Sequence, residues 1–135
     1  MNYFRTWGPV FGYAGLIFYL SSQPHPEETL PSIIKHFSDK VLHVIEYAIL
    51  GALCYRAFHE SQTEAWRKKA VLAAILLTSL YGVSDEVHQA FVPFRESSVL
   101  DWVADTVGAT LGAILMRRIL GLWTVRSLQE VLREP

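Results

Sequence analysis

Acids, bases and amides fall at helical spacing in three places along this chain. Asp39, Lys40, His43, Glu46 and Tyr47 form one group. Asp85, Glu86, His88 and Gln89 crowd a single turn, with Arg95 shortly after, and Asp101 and Asp105 form the third group. A histidine oriented by a carboxylate can act as a general base. Carboxylates can hold amines and sugar hydroxyls, while Lys40 and Arg95 can hold phosphate or carboxylate. His and carboxylate side chains three or four residues apart on facing helices can ligate zinc or manganese. No His-Glu-x-x-His signature occurs, however, and Lys40 and Arg95 bring positive charge where a metal wants none. No metal and no cofactor are therefore expected. Each feature also has a purely structural reading. His43 with Glu46, and Asp85 with His88, can be hydrogen-bonded pairs that hold helices together, and Arg95 can pair with Asp101 or Glu86 at an exposed rim.

The elements that must position these residues are apolar. Of the 135 residues 51% are hydrophobic and only 19% charged, less charge than soluble domains usually carry. The net charge of -1 gives no sign of nucleic-acid binding. Four segments, roughly 3–21, 41–58, 70–91 and 99–120, each have about the 20 residues needed to cross a hydrocarbon core. The run 70–84 carries no charge beyond Asp85 at its end. Pro24, Pro26 and Pro31 should break the chain after the first segment, Ser38 or Asp39 should cap the second, and Pro93 should end the third. The expected fold is all-α: a polytopic membrane protein of four transmembrane helices in one domain spanning residues 1–135. The tail 122–135 is either an interfacial helix anchored by Trp123 or an extension of the fourth helix. The single cysteine, Cys54, lies inside an apolar segment and reads as a small core hydrophobe.

Basic residues in short loops set orientation. Arg67, Lys68 and Lys69 lie between segments two and three, Arg117, Arg118 and Arg126 lie at the C-terminal flank of segment four, and Arg5 flanks segment one. Both termini should then be cytoplasmic and the first and third loops outside. That topology brings all three polar groups to the outer end of the bundle. Asp101, Asp105, Gly108 and Gly112 share one stripe, whose glycines let helices approach closely, so the two aspartates should face inward.

At these residues the chain resembles the VanZ-like family, named for a protein linked to teicoplanin resistance. The match runs from the Ser21-Ser22-Gln23-Pro24 exit of segment one, through Asp39-Lys40-x-x-His43 with Glu46-Tyr47, to Ser84-Asp85-Glu86-x-His88-Gln89-x-Phe91-x-Pro93-x-Arg95. It continues with Ser98, Asp101, Asp105, Gly108 and Gly112. Two departures are Phe94, where the family usually has glycine, and Asp105, where many members have asparagine. The resemblance implies a small multi-spanning protein of the bacterial inner membrane, associated with antibiotic resistance and the cell envelope.

The expected functional cluster is Lys40, His43, Glu46, Tyr47, Asp85, Glu86, His88, Gln89, Arg95, Asp101 and Asp105. The favoured reading is a polar, outward-facing pocket that binds a lipid headgroup or a glycopeptide-like ligand. One rival is a membrane enzyme acting on a lipid-linked envelope substrate, with His43 or His88 as base and Arg95 as electrophilic clamp. The other is a scaffold whose network only fixes packing. The expected partners are membrane lipids and a lipid-linked or glycopeptide ligand, with no nucleic acid. The sequence does not indicate the oligomeric state.

Overall fold

The structure, a computed structural model, describes residues 3–23, 32–95 and 97–131, without the side chains of 32–38, 127, 128, 130 and 131. Among these residues every regular element is a helix: α1 (Tyr3–Ser21), α2 (Ser32–His59), the short α3 (Glu64–Lys68), α4 (Ala70–Gln89) and α5 (Val99–Val131). Three of them contain stretches long and apolar enough to cross a membrane: Asp39–His59, Ala70–Gln89 and Val99–Arg126. The multi-pass membrane reading thus rests on α2, α4 and α5. α1 has the length, but Gly8, Pro9, Gly12 and Gly15 dilute its hydropathy, and much of its apolar surface is aromatic.

The helix bounds differ from expectation in informative ways. α2 starts at Ser32, so Asp39 lies inside the helix and does not cap it. An apolar-segment reading sees only the membrane-depth part of a helix that goes on into a more polar turn. Pro24, Pro26, Pro31 and the Ser38 side chain lie outside the described residues. α4 stops at Gln89, before Pro93, in tight i to i+3 turns from Phe91 to His88 and from Val92 to Gln89. The tail does not form a separate interfacial helix. α5 runs on unbroken from Leu122 to Val131, and residues 132–135 lie outside the described region.

α5 packs chiefly on α2 and also on α4, while α1 lies mainly against α2. The helices alternate in direction, since the start of α2 meets the end of α4 and the start of α5. The α2–α5 seam is backbone against backbone. An added Cβ at Gly112 would stand 1.8 Å from the Ala48 carbonyl oxygen, at Gly108 2.3 Å from that of Val44, and at Gly51 2.5 Å from that of Ala109. Buried Ala104, Ala109 and Ala113 complete a small-residue interface. In lipid, where apolar side chains gain little by leaving the solvent, such close approach is what holds helices together. Large apolar side chains such as Leu80, Val83, Val87, Val107 and Leu111 point outward, while Asp85, Asp101 and Asp105 are buried. A water-soluble bundle has the opposite polarity.

α1 buries one stripe, Thr6, Val10, Ile17 and Ser21. Pro9 lacks an amide hydrogen, so the Arg5 carbonyl one turn back loses its helical donor. Arg56 on α2 reaches that carbonyl with Nη2 at 3.3 Å. Thr6 also donates to Glu60 at 3.1 Å, and Tyr81 on α4 donates to the Ala14 carbonyl at 2.6 Å. An apolar cavity of about 450 Å³ between α1, α2 and α4 is lined by residues including Trp7, Leu50 and Thr78.

Three substitutions probe this frame. Gly112→Ala should lower unfolding stability by about 3 kcal/mol, because the neighbouring backbone has no rotamer with which to retreat. Gly12→Ala, which meets open space, should be neutral or stabilising. Phe94 holds a φ of 66°, a left-handed conformation that costs a side-chain-bearing residue about 1 kcal/mol or more. Phe94 is also 86% exposed, so Phe94→Gly should stabilise by up to about 1 kcal/mol. Reversible unfolding in mixed detergent micelles reads all three.

Candidate functional site

The polar end is assembled from α2, α4 and α5. Lys40, His43 and Tyr47 lie about one turn apart and look across at the start of α5 and the end of α4. His43 Nδ1 and Asp105 Oδ1 are 2.8 Å apart, with His43 6% exposed and Asp105 fully buried. One turn towards the helix ends, Lys40 pairs with Asp101. Tyr47 donates to Asp85 Oδ2 at 3.2 Å, and Gln89 donates to the same oxygen at 3.0 Å. Gly82 makes room for this arrangement: a Cβ there would lie 2.9 Å from Asp105 Oδ2 and 3.3 Å from the Tyr47 ring.

Glu86 is tied to the start of α5. Ser98 caps that helix, its hydroxyl accepting from the Leu100 amide at 3.2 Å. The Ser98 amide in turn donates to Glu86 Oε2 at 2.7 Å. In a capping box this acceptor comes from the third residue of the same helix. Here that residue is Asp101, which is engaged with Lys40, and α4 supplies the carboxylate instead. Both acids also sit at the positive end of the α5 dipole.

Three carboxylate oxygens in this end are buried without a hydrogen-bond partner among the described residues: Asp85 Oδ1, Glu86 Oε1 and Asp105 Oδ2. His43, Glu86 and Asp105 each place one ligand-capable atom within 4.8 Å of the others, and Asp39, His43 and Asp101 do the same. The site is thus rich in acceptors and poor in donors.

Of the sequence candidates, Lys40, His43, Tyr47, Asp85, Glu86, Gln89, Asp101 and Asp105 come together. His88 does not. It turns towards α1, with Nε2 2.9 Å from the Ser22 hydroxyl and its ring 4.3 Å from that of Phe18. Arg95 pairs with neither Asp101 nor Glu86. It caps the end of α1, Nη2 donating to the Leu20 carbonyl and Nε to that of Gln23, each at 3.2 Å. Glu46 is half-buried and without a hydrogen bond among the described residues, though it feels the charges of His43, Asp85 and Arg95. Ser22 and Gly82 were not singled out. Nothing in a lone glycine of an apolar run marks it as the space an aspartate needs. Ser22 stood in the motif at the exit of α1, which the structure shows to be the receiving edge for His88 and Arg95.

A buried pair loses far more than an exposed one when a partner is removed. His43→Ala should therefore cost about 3 kcal/mol by stranding Asp105. Asp101→Ala should cost about 1 kcal/mol or less, because Lys40 is partly solvated. Asp105→Asn should be mild, since the amide oxygen can still accept from Nδ1–H. Denaturant titration of the three variants side by side checks the order.

Set against protein families, residues 10–121 match the family model described as VanZ/LLP1. No curated protein and no solved structure matches the chain.

Proposed function

Since this chain belongs to the VanZ/LLP1 family, for which glycopeptide resistance is the associated role, we propose that it is a bacterial inner-membrane module whose polar end binds an envelope ligand rich in hydrogen-bond donors. A lipid headgroup with an amine, or the sugar and amine face of a glycopeptide such as teicoplanin, has that chemistry. One observation carries this reading: at this end three carboxylate oxygens, on Asp85, Glu86 and Asp105, are buried without a hydrogen-bond partner among the described residues. Leaving such atoms unmatched is costly, and a bound donor removes the cost. The geometry alters one part of the expected recognition. Lys40 and Arg95 are already engaged with Asp101 and with α1, so the site favours amines and hydroxyls over bare anionic groups.

In this reading α1 is the fourth span. Thr6 meets Glu60 at one end of the bundle and Ser22 meets His88 at the other, so α1 covers the same thickness as its neighbours. The basic residues Arg67, Lys68, Lys69 and Arg117 gather at the end away from the carboxylates, around a cavity of about 590 Å³. By the positive-inside rule that end and both termini are cytoplasmic, and the polar cluster faces out.

A second reading has its own support. The buried His43–Asp105 pair is the arrangement of a histidine base with its orienting carboxylate, as a membrane enzyme acting on a lipid-linked substrate would need.

Three measurements bear on these readings. A cysteine at Phe94 should react with an impermeant thiol reagent from outside the cell and one at Gln62 should not; native Cys54 is buried and adds no background. The reverse pattern overturns the orientation. Teicoplanin titrated into protein in nanodiscs should raise its melting temperature saturably, and Glu86→Gln should weaken the effect about tenfold. Turnover of a lipid-linked substrate that His43→Gln abolishes in a folded protein would favour the enzyme instead.

A further inference from the structure

We infer that His43, Glu86 and Asp105 form a binding site for one divalent transition-metal cation, with manganese or zinc the best match. The inference deepens the reading of the polar end as a ligand site and rests on it.

The geometry removes the objection that the sequence raised. Lys40 and Arg95 were expected to bring positive charge into the cluster. Lys40 is instead drawn to Asp101, towards the helix ends, and Arg95 lies over the end of α1. Neither has a hydrogen bond or ion pair with Glu86, Asp85 or Asp105 among the described residues.

What is left is a set of buried carboxyl groups with unmatched oxygens. Asp85, Glu86 and Asp105 are 3%, 6% and 0% exposed, and each keeps one oxygen without a partner. Among the described residues, His43 is the basic side chain bonded within this inner set, through Asp105. Polar atoms removed from water need a partner, and a dication at this point supplies one for Glu86 and Asp105 at once.

The donor set fits a particular class of ion. One imidazole with two carboxylates suits manganese, zinc and iron better than calcium or magnesium, which prefer all-oxygen shells. The three atoms lie within 4.8 Å of one another, so a small contraction brings them around one ion. The elements around them are rigid. Glu86 is held through its other oxygen by the Ser98 amide, and the α2–α5 backbone contact sets the separation of His43 from Asp105. Asp85, positioned by Tyr47 and Gln89, stands beside the three as an outer acceptor for a metal-bound water. Three protein ligands leave coordination positions open, where a hydroxyl or headgroup oxygen can bind. The metal would thus be the centre of recognition, and the surrounding acceptors would read the donors of the same ligand.

The test uses the full chain in nanodiscs, stripped with chelator and titrated with manganese alone. Electron paramagnetic resonance should count about one bound manganese per chain. Its pulsed spectrum should show a nitrogen coupling from His43 that His43→Gln removes. Glu86→Gln and Asp105→Asn should each weaken binding about tenfold or more. His88→Gln, whose ring faces α1, should bind as the parent does. Saturating manganese should also raise the melting temperature of the parent protein, a reading that needs no variant. Absence of saturable manganese or zinc binding up to about 1 mM, or binding that Glu86→Gln and His43→Gln leave intact, overturns the site. No organic ligand is present in this titration. Its failure is therefore separate from failure of the teicoplanin titration, which would leave a metal site without its proposed envelope ligand.

Discussion

Because Gly51, Gly108 and Gly112 carry no Cβ, α2 and α5 touch backbone to backbone, and that contact fixes the distance over which every polar pair between them must act. At an ordinary helix separation of about 8–10 Å, Asp105 and His43 would have to reach further across the seam. With the seam closed, the pair forms at 2.8 Å and Lys40 meets Asp101 one turn away. α4 then packs against both helices and adds Asp85, Glu86 and Gln89 from a single turn. The glycines are therefore as much a part of this polar end as the acids, although none of them carries a polar side chain.

The bilayer imposes a second constraint. Outward-facing leucines and valines satisfy the lipid, so the chain can place its polar chemistry only inside the bundle or at its ends. Here it lies inside, near one end, where α5 begins. The positive end of that helix, its capping serine and the incoming Glu86 form one unit. This local arrangement allows several carboxylates to share a small volume at membrane depth. Arg95 and His88, which look from the sequence like members of the same chemistry, instead fasten α1 to the outside of this unit. Charged and aromatic residues at one level of a bundle can thus do two separate jobs, one per face.

Much of this was legible from residue types and spacing. Three of the four expected spans, the shared end of their polar residues and the inward stripe of Asp101, Asp105, Gly108 and Gly112 all follow from length and helical period, while α1 falls short in hydropathy. The error at His88 has a clear cause. At about 100° per residue, Gly82, Asp85, Glu86 and Gln89 fill one arc of α4, while Tyr81 and His88 lie on the adjoining arc. Reading Asp85 and His88 as members of one group joined residues from two faces that meet different helices. The partners of Arg95 were hidden for another reason: they are backbone carbonyls, which no side-chain pattern reveals. The same holds for the extension of α2 back to Ser32, since hydropathy marks where lipid begins and not where a helix does.

The way α1 is attached bears on how its sequence can drift. Arg56 holds the carbonyls of Arg5 and Thr6, Tyr81 holds that of Ala14, and Arg95 holds those of Leu20 and Gln23. Every one of these acceptors is a main-chain oxygen, present whatever side chain stands at that position. The burden of recognition lies with the three donors on the rest of the molecule. Across descendants of this chain, α1 can exchange most of its lipid-facing residues and remain fastened, while each loss of Arg56, Tyr81 or Arg95 removes one of its anchors. Relatives should therefore diverge fastest in the first helix, even though it spans the full height of the bundle and borders its polar end.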